Sequence, residues 1–96
     1  MEIKNKSLSS LNAQLFTAAT EGENTDIMEF LINGAEINSR HVLGATPLFT
    51  AITHNQTKSV QLLISMGADI NIPMDQGTTP LFKAAHNCHS DITKFL

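Results

Sequence analysis

The stretch GATPLFTAI at residues 44–52 returns as GTTPLFKAA at residues 77–85, 33 positions further along a chain of 96 residues. At this shift Gly44 falls on Gly77, Thr46 on Thr79, Pro47 on Pro80, Leu48 on Leu81, Phe49 on Phe82 and Ala51 on Ala84. The same shift backwards sets Leu15, Phe16, Thr17 and Ala18 under Leu48, Phe49, Thr50 and Ala51. It also sets Gly34-Ala35-Glu36-Ile37-Asn38 under Gly67-Ala68-Asp69-Ile70-Asn71. The chain therefore holds three copies of one unit. The first is expected to carry one extra residue near Glu23 to Asp26 and one fewer before Gly34, and so a locally different turn.

Each copy reads as two short helices and a loop. Thr46 before Pro47 is an N-cap followed by proline at the first helical position, where a missing N–H costs nothing. Leu48, Ala51 and Ile52 share a face at helical spacing, as do Val60, Leu63 and Ile64 in the second segment. Gly34 and Gly67 end those second segments in the left-handed conformation. One helix pair cannot bury its apolar stripe alone, whereas stacked copies bury a continuous core between neighbours. The small residues Ala18-Ala19, Ala51 and Ala84-Ala85 let adjacent helices approach closely. The phrase recurs because every copy presents the same packing surface to the next.

TPLFKAAHNCHSDITKFL and LLISMGADINIPMDQGTTPLF resemble ankyrin repeats over about Leu11 to Leu96. The resemblance implies an all-α fold, a solenoid of stacked antiparallel helix pairs joined by hairpin-like loops. It divides the chain into a polar lead-in at 1–10 and a repeat domain at 11–96, with copies at about 11–43, 44–76 and 77–96, the last incomplete. Phe16, Phe49 and Phe82 stand where the family usually has His after Thr-Pro-Leu, so a phenylalanine ladder along one side of the stack is expected. Asn55 replaces a helix-linking Gly and Ser59 an aliphatic residue, which should weaken the second copy locally. Asn55 can still adopt the left-handed turn at modest cost. His41 and Met74 occupy loop positions where the family places Asp, so looser loops are expected there.

Composition narrows the function. The hydrophobic content of 42% suits one small soluble domain. A formal charge of -3 argues against a phosphate-binding surface and so against nucleic acid as partner. The acidic residues gather in the first copy, where Glu21, Glu23, Asp26, Glu29 and Glu36 are opposed only by Arg40; the cluster around Glu21 to Glu29 reads either as an electrostatic docking patch or, more simply, as a solvated face. The longest aliphatic run, Leu62-Leu63-Ile64, is far short of the roughly 20 residues of a membrane span. The N-terminus has no continuous apolar core of a secretory signal. The lone Cys88 has no intrachain disulfide partner, which fits a reducing compartment. An intracellular, cytoplasmic protein is expected, and the sequons at Asn5 and Asn55 are read as chance.

No constellation carries chemistry. The HNCH stretch of His86, Cys88 and His89, with His54 one copy away, lacks a second ligand cluster and straddles a turn, so no metal site is assigned. A Cys-His nucleophile would need an orienting group, an oxyanion hole and a pocket, none of which is signalled. Glycines stand at turns and caps, not in phosphate loops. No catalytic residue, cofactor or metal is expected, and the chain is read as a non-enzyme.

What remains is surface. The resemblance implies a protein-binding groove made of loop tips and the exposed side of each first helix. Carried onto this chain, it comprises Arg40, Val42, Leu43 and Ala45 in the first loop and Pro73, Asp75, Gln76 and Thr78 in the second. The helices add Thr20 and Glu21, Thr53 and His54, and His86 and Asn87. Two adjacent aliphatics at a loop tip, Val42 and Leu43, mark either a contact hot spot or packing onto a neighbouring loop. The leading expectation is a protein-protein interaction module, a scaffold that binds another protein; the alternative is the recruiting N-terminal domain of a larger enzyme or effector. Phe95-Leu96 align with Leu62-Leu63, short of a capping glycine. A longer array, or self-association through the uncapped C-terminal repeat, is therefore expected.

Overall fold

The Thr46 hydroxyl oxygen accepts the Phe49 N–H at 3.2 Å, and Pro47 takes the first helical position of the helix that follows. One period later Thr79 accepts the Phe82 N–H at 3.2 Å in the same way. In the computed structural model, which describes residues 8–86, the elements run α1 (Leu8–Glu21), α2 (Asn24–Ile32), a single 3₁₀ turn at Val42–Gly44, α3 (Pro47–Thr53), α4 (Thr57–Ser65) and α5 (Pro80–His86). The described elements are all helical. Helices α1 and α2 form the first pair, α3 and α4 the second, and α5 opens the third.

Helices α2 and α4 close identically. Gly34 N–H donates to Leu31 and Ala35 N–H to Phe30; Gly67 and Ala68 repeat this onto Ile64 and Leu63. Both glycines have positive φ, as this paired closure requires. Their chain positions differ by one period, so the end of each pair is set by the same local chemistry.

The turn between α1 and α2 corrects the expected insertion. Glu23 N–H donates to Ala18 and Ile27 N–H to Glu23, and the second copy repeats these bonds 33 residues on, from Gln56 to Ala51 and from Val60 to Gln56. No extra residue enters; Asn55, at φ 57°, simply takes the left-handed station of Gly22.

Packing follows the register. Helix α1 lies against α2 and α3, and α3 against α4 and α5. Leu15, Ala19, Ile27, Leu48, Ala51, Ile52, Val60, Leu63 and Ala84 fill one continuous core. Alanine at the helix crossings leaves room for the branched residues on either side.

Polar residues join the copies where they are buried. Ser59 is buried in an otherwise aliphatic position, and its hydroxyl donates to the Asn24 side-chain carbonyl of the preceding pair. The weakness expected there is offset by this bond, because a buried hydroxyl is costly only when unpaired. Gln56 Nε2 donates to the Thr20 carbonyl at 3.0 Å, and the Thr20 and Thr50 hydroxyls meet at 2.8 Å. Within the first copy the Asn12 amide grips Glu36, accepting its N–H at 2.7 Å and donating to Oε1 at 3.1 Å.

The phenylalanine ladder is broken. Phe49 is buried and Phe16 half-buried, its ring 4.5 Å from that of His41. Phe82 is exposed, and its ring stacks on that of His86 at 5.9 Å. At the same station of the repeat, Phe49 is 3% and Phe82 61% exposed.

Candidate functional site

The loop after α2 is shaped by backbone hydrogen bonds that do not depend on its side chains. His41 N–H donates to Ala45 at 2.8 Å and Gly44 N–H back to His41 at 2.9 Å. Met74 N–H to Thr78 and Gly77 N–H to Met74, both 2.8 Å, build the same loop one period later. The looseness expected from His41 and Met74 is therefore absent: the hairpin-like closure is a main-chain matter.

Arg40 ties the two loops together. Its Nη2 donates to the Pro73 carbonyl at 2.8 Å and to Asp75 Oδ1 at 3.3 Å, while its Nε donates to the Gly44 carbonyl at 3.2 Å. Asp75 N–H completes the tie by donating to the Leu43 carbonyl at 3.0 Å. Gly44, at φ 79°, belongs to this clasp: a Cβ on it would run into the Asp75 carboxylate and the Arg40 guanidinium.

Leu43 at the tip has φ 58° and ψ 21°. A side chain with a Cβ in this left-handed region costs on the order of 1–2 kcal/mol. The clasp and the turn hold it there. Val42 and Leu43 are 68% and 62% exposed, so two aliphatic side chains stand in water on a braced loop.

His41 sits beneath this tip. Its ring lies on Phe16, and its Nε2 is 2.9 Å from the Ser39 hydroxyl. Burial pushes its pKa below the usual imidazole value, which favours the neutral ring.

The residues carried over from the resemblance divide into several groups. Glu21, Val42, Leu43, Thr53, His54, Pro73, Gln76 and His86 are exposed. Arg40 and Asp75 are exposed as well, but they are engaged with each other. Thr78 is half-buried. Thr20 is half-buried, its hydroxyl donated to the Phe16 carbonyl at 3.0 Å and set against Thr50, so it joins copies. Ala45 is a correction: it is buried, because the loop turns its methyl inward just before the Thr46 cap. Asn87 lies outside the described residues, as do Cys88 and His89 of the HNCH stretch and the Phe95-Leu96 end.

Sequence reasoning missed the Arg40–Asp75 clasp and the strain at Leu43. A signal existed for the first, since a cation and an anion little more than one period apart fall on adjacent loops of a stack. It also missed a groove beside α1 of about 320 Å3, lined by Ala13, Gln14, Thr17, Ala18 and Phe30 and rimmed by Glu21 and Asp26. Among the described residues no three His, Cys, Asp or Glu side chains converge as a metal site, and no helix is long and apolar enough to cross a membrane.

Comparison with protein-family models matches residues 15–96 to ankyrin repeats, in three copies. No match to a curated protein was found.

Proposed function

The chain belongs to the ankyrin-repeat family, whose members are generally protein-protein interaction modules, and from that premise we propose that its loop tips dock onto another protein without chemistry of their own. The observation that carries this reading is the pair Val42 and Leu43, exposed together on a loop held by the Arg40–Asp75 clasp. An exposed aliphatic pair contributes to binding when it enters an apolar pocket, and a loop already fixed loses little entropy in doing so. Backbone strain retained at a surface tip supports a role for that tip, because packing alone does not require it. Of the other candidate residues, Thr53, His54 and Gln76 are exposed polar side chains and Pro73 an exposed apolar one.

The test compares the full chain with a Val42→Asp/Leu43→Asp double variant as bait in parallel pull-downs. Both side chains lie in water, so the variant keeps its unfolding midpoint. Proteins retained by the wild type are lost by the variant. Equal retention by both baits would reject the loop tip as the docking site.

A further inference from the structure

Asn33 is the one asparagine in the sequence that a glycine follows. That pairing has a chemistry of its own. The main-chain nitrogen of the following residue can attack the asparagine side-chain carbonyl carbon, and glycine, having no Cβ, shields that nitrogen least. Asn24, Asn38, Asn55 and Asn71 precede Thr, Ser, Gln and Ile, whose side chains crowd it.

The fold sets this pair at the closure of α2. Asn33 follows the helix at φ -82° and ψ 2°, its N–H donated to the Glu29 carbonyl at 3.0 Å. Gly34 N–H donates to Leu31 at 3.1 Å and Ala35 N–H to Phe30 at 2.9 Å. Asn33 and Gly34 are both exposed, and a Cβ added to Gly34 would meet nothing within 4 Å, so solvent reaches the peptide between them. At this ψ the Gly34 nitrogen eclipses the Asn33 nitrogen and not Cβ, so the attack needs the peptide to turn. Turning it breaks the Gly34 and Ala35 bonds. The closure is a latch on the reaction, and a helix end opens far more readily than the whole molecule unfolds.

We propose that Asn33 is a site of spontaneous deamidation, held in check by the closure of α2. The Gly34 nitrogen gives its proton to solvent and bonds to Asn33 Cγ, while the Cγ–Nδ2 bond breaks and Nδ2 leaves as ammonia. The five-membered cyclic imide takes up one water at either carbonyl and opens to aspartate or to isoaspartate. Both products weaken the latch. Aspartate puts negative charge at the end of a helix that already carries it. Isoaspartate routes the main chain through Cβ, one atom longer, so the buried Ala35 and the Glu36 gripped by Asn12 cannot both keep their places. The second copy supplies a control: Met66 and Gly67 form the same closure, with φ -89° and ψ 4° at Met66 and φ 100° at Gly67, but no amide. The site involves the end of α2 alone and stands independently of the docking reading.

Peptide mapping by mass spectrometry tests it on the full chain in mildly alkaline buffer, folded and unfolded in guanidinium chloride. Asn33 is modified before any other asparagine in both, and about tenfold or more slowly in the folded chain, because the closure must open first. Asn33→Met, which puts the second copy's residue in the same closure, keeps the unfolding midpoint and loses the early modification. Met66→Asn gains a second early site at the substituted position, at a rate close to that of Asn33. The modified chain, separated by its added charge, unfolds at a lower midpoint. Another asparagine reacting first, equal rates folded and unfolded, or a modified chain as stable as the original overturns the proposal. So does Met66→Asn left intact at the substituted position while Asn33 reacts.

Discussion

Three phenylalanines occupy one station of the repeat, yet they do different things. Phe49 is enclosed by its neighbours, Phe16 shares its ring face with His41, and Phe82 stands in water. Removing the ring of Phe49 leaves a cavity, so Phe49→Ala costs about 3–5 kcal/mol of stability. Phe82→Ala at low protein concentration costs no more than about 0.5 kcal/mol, as for other surface changes. Urea denaturation of the two variants measures the difference, and equal losses would mean that Phe82 is covered. Residue identity at this station was legible in the sequence, and burial was not. Burial depends on whether a neighbouring copy lies over the ring, which a single repeat does not encode. Ser59 teaches the same point from the other side, for its hydroxyl was visible but its partner Asn24, 35 residues away, was not.

At the scale of elements, what the sequence disclosed was local. The Thr46 cap, the Pro47 start, the Gly34 and Gly67 ends and the left-handed Asn55 each depend on a few consecutive residues, and each stands where its chemistry put it. The loops were misjudged because side chains were asked to explain a closure made by the main chain. Arg40 links elements more than a period apart and belongs to no pattern of helix or strand. Being exposed, its ion pair with Asp75 contributes little by charge alone. The two carbonyl contacts add to it, so Arg40→Ala costs about 1 kcal/mol and speeds hydrogen exchange at the Asp75 amide. Arg40→Lys does not restore protection, because an ammonium lacks the fork that reaches two loops at once. Slow exchange at Asp75 in either variant would show that the loop closes without the clasp.

Over the whole molecule, the contacts run between neighbours: α1 touches α3, and α3 touches α5. Stability is then close to a sum over joints, and the same residue weighs differently by position. Ala51 is enclosed on both sides, so Ala51→Leu overpacks the core and costs about 1–3 kcal/mol. Ala18, one period earlier, is itself buried but borders the groove, into which a larger side chain can extend, so Ala18→Leu costs less by thermal denaturation. Equal costs would show that the groove is filled. The period of 33 made this architecture readable, because repetition announces stacking before any contact is known. It left the groove unseen, since the shift that sets Ala13 and Gln14 under Thr46 and Pro47 does not say whether another surface covers them.

The joint between the first two pairs also bears on how the stack answers a pulling force. Between the first and second pairs, Ser59 to Asn24, Gln56 to Thr20 and Thr50 to Thr20 are directional bonds that resist sliding. Helices α3 and α5 are also in contact, and Leu48, Ala51 and Ala84 belong to the core they share. Pulled apart along the stack, the first two pairs therefore travel together as one stiff segment until those directional bonds break.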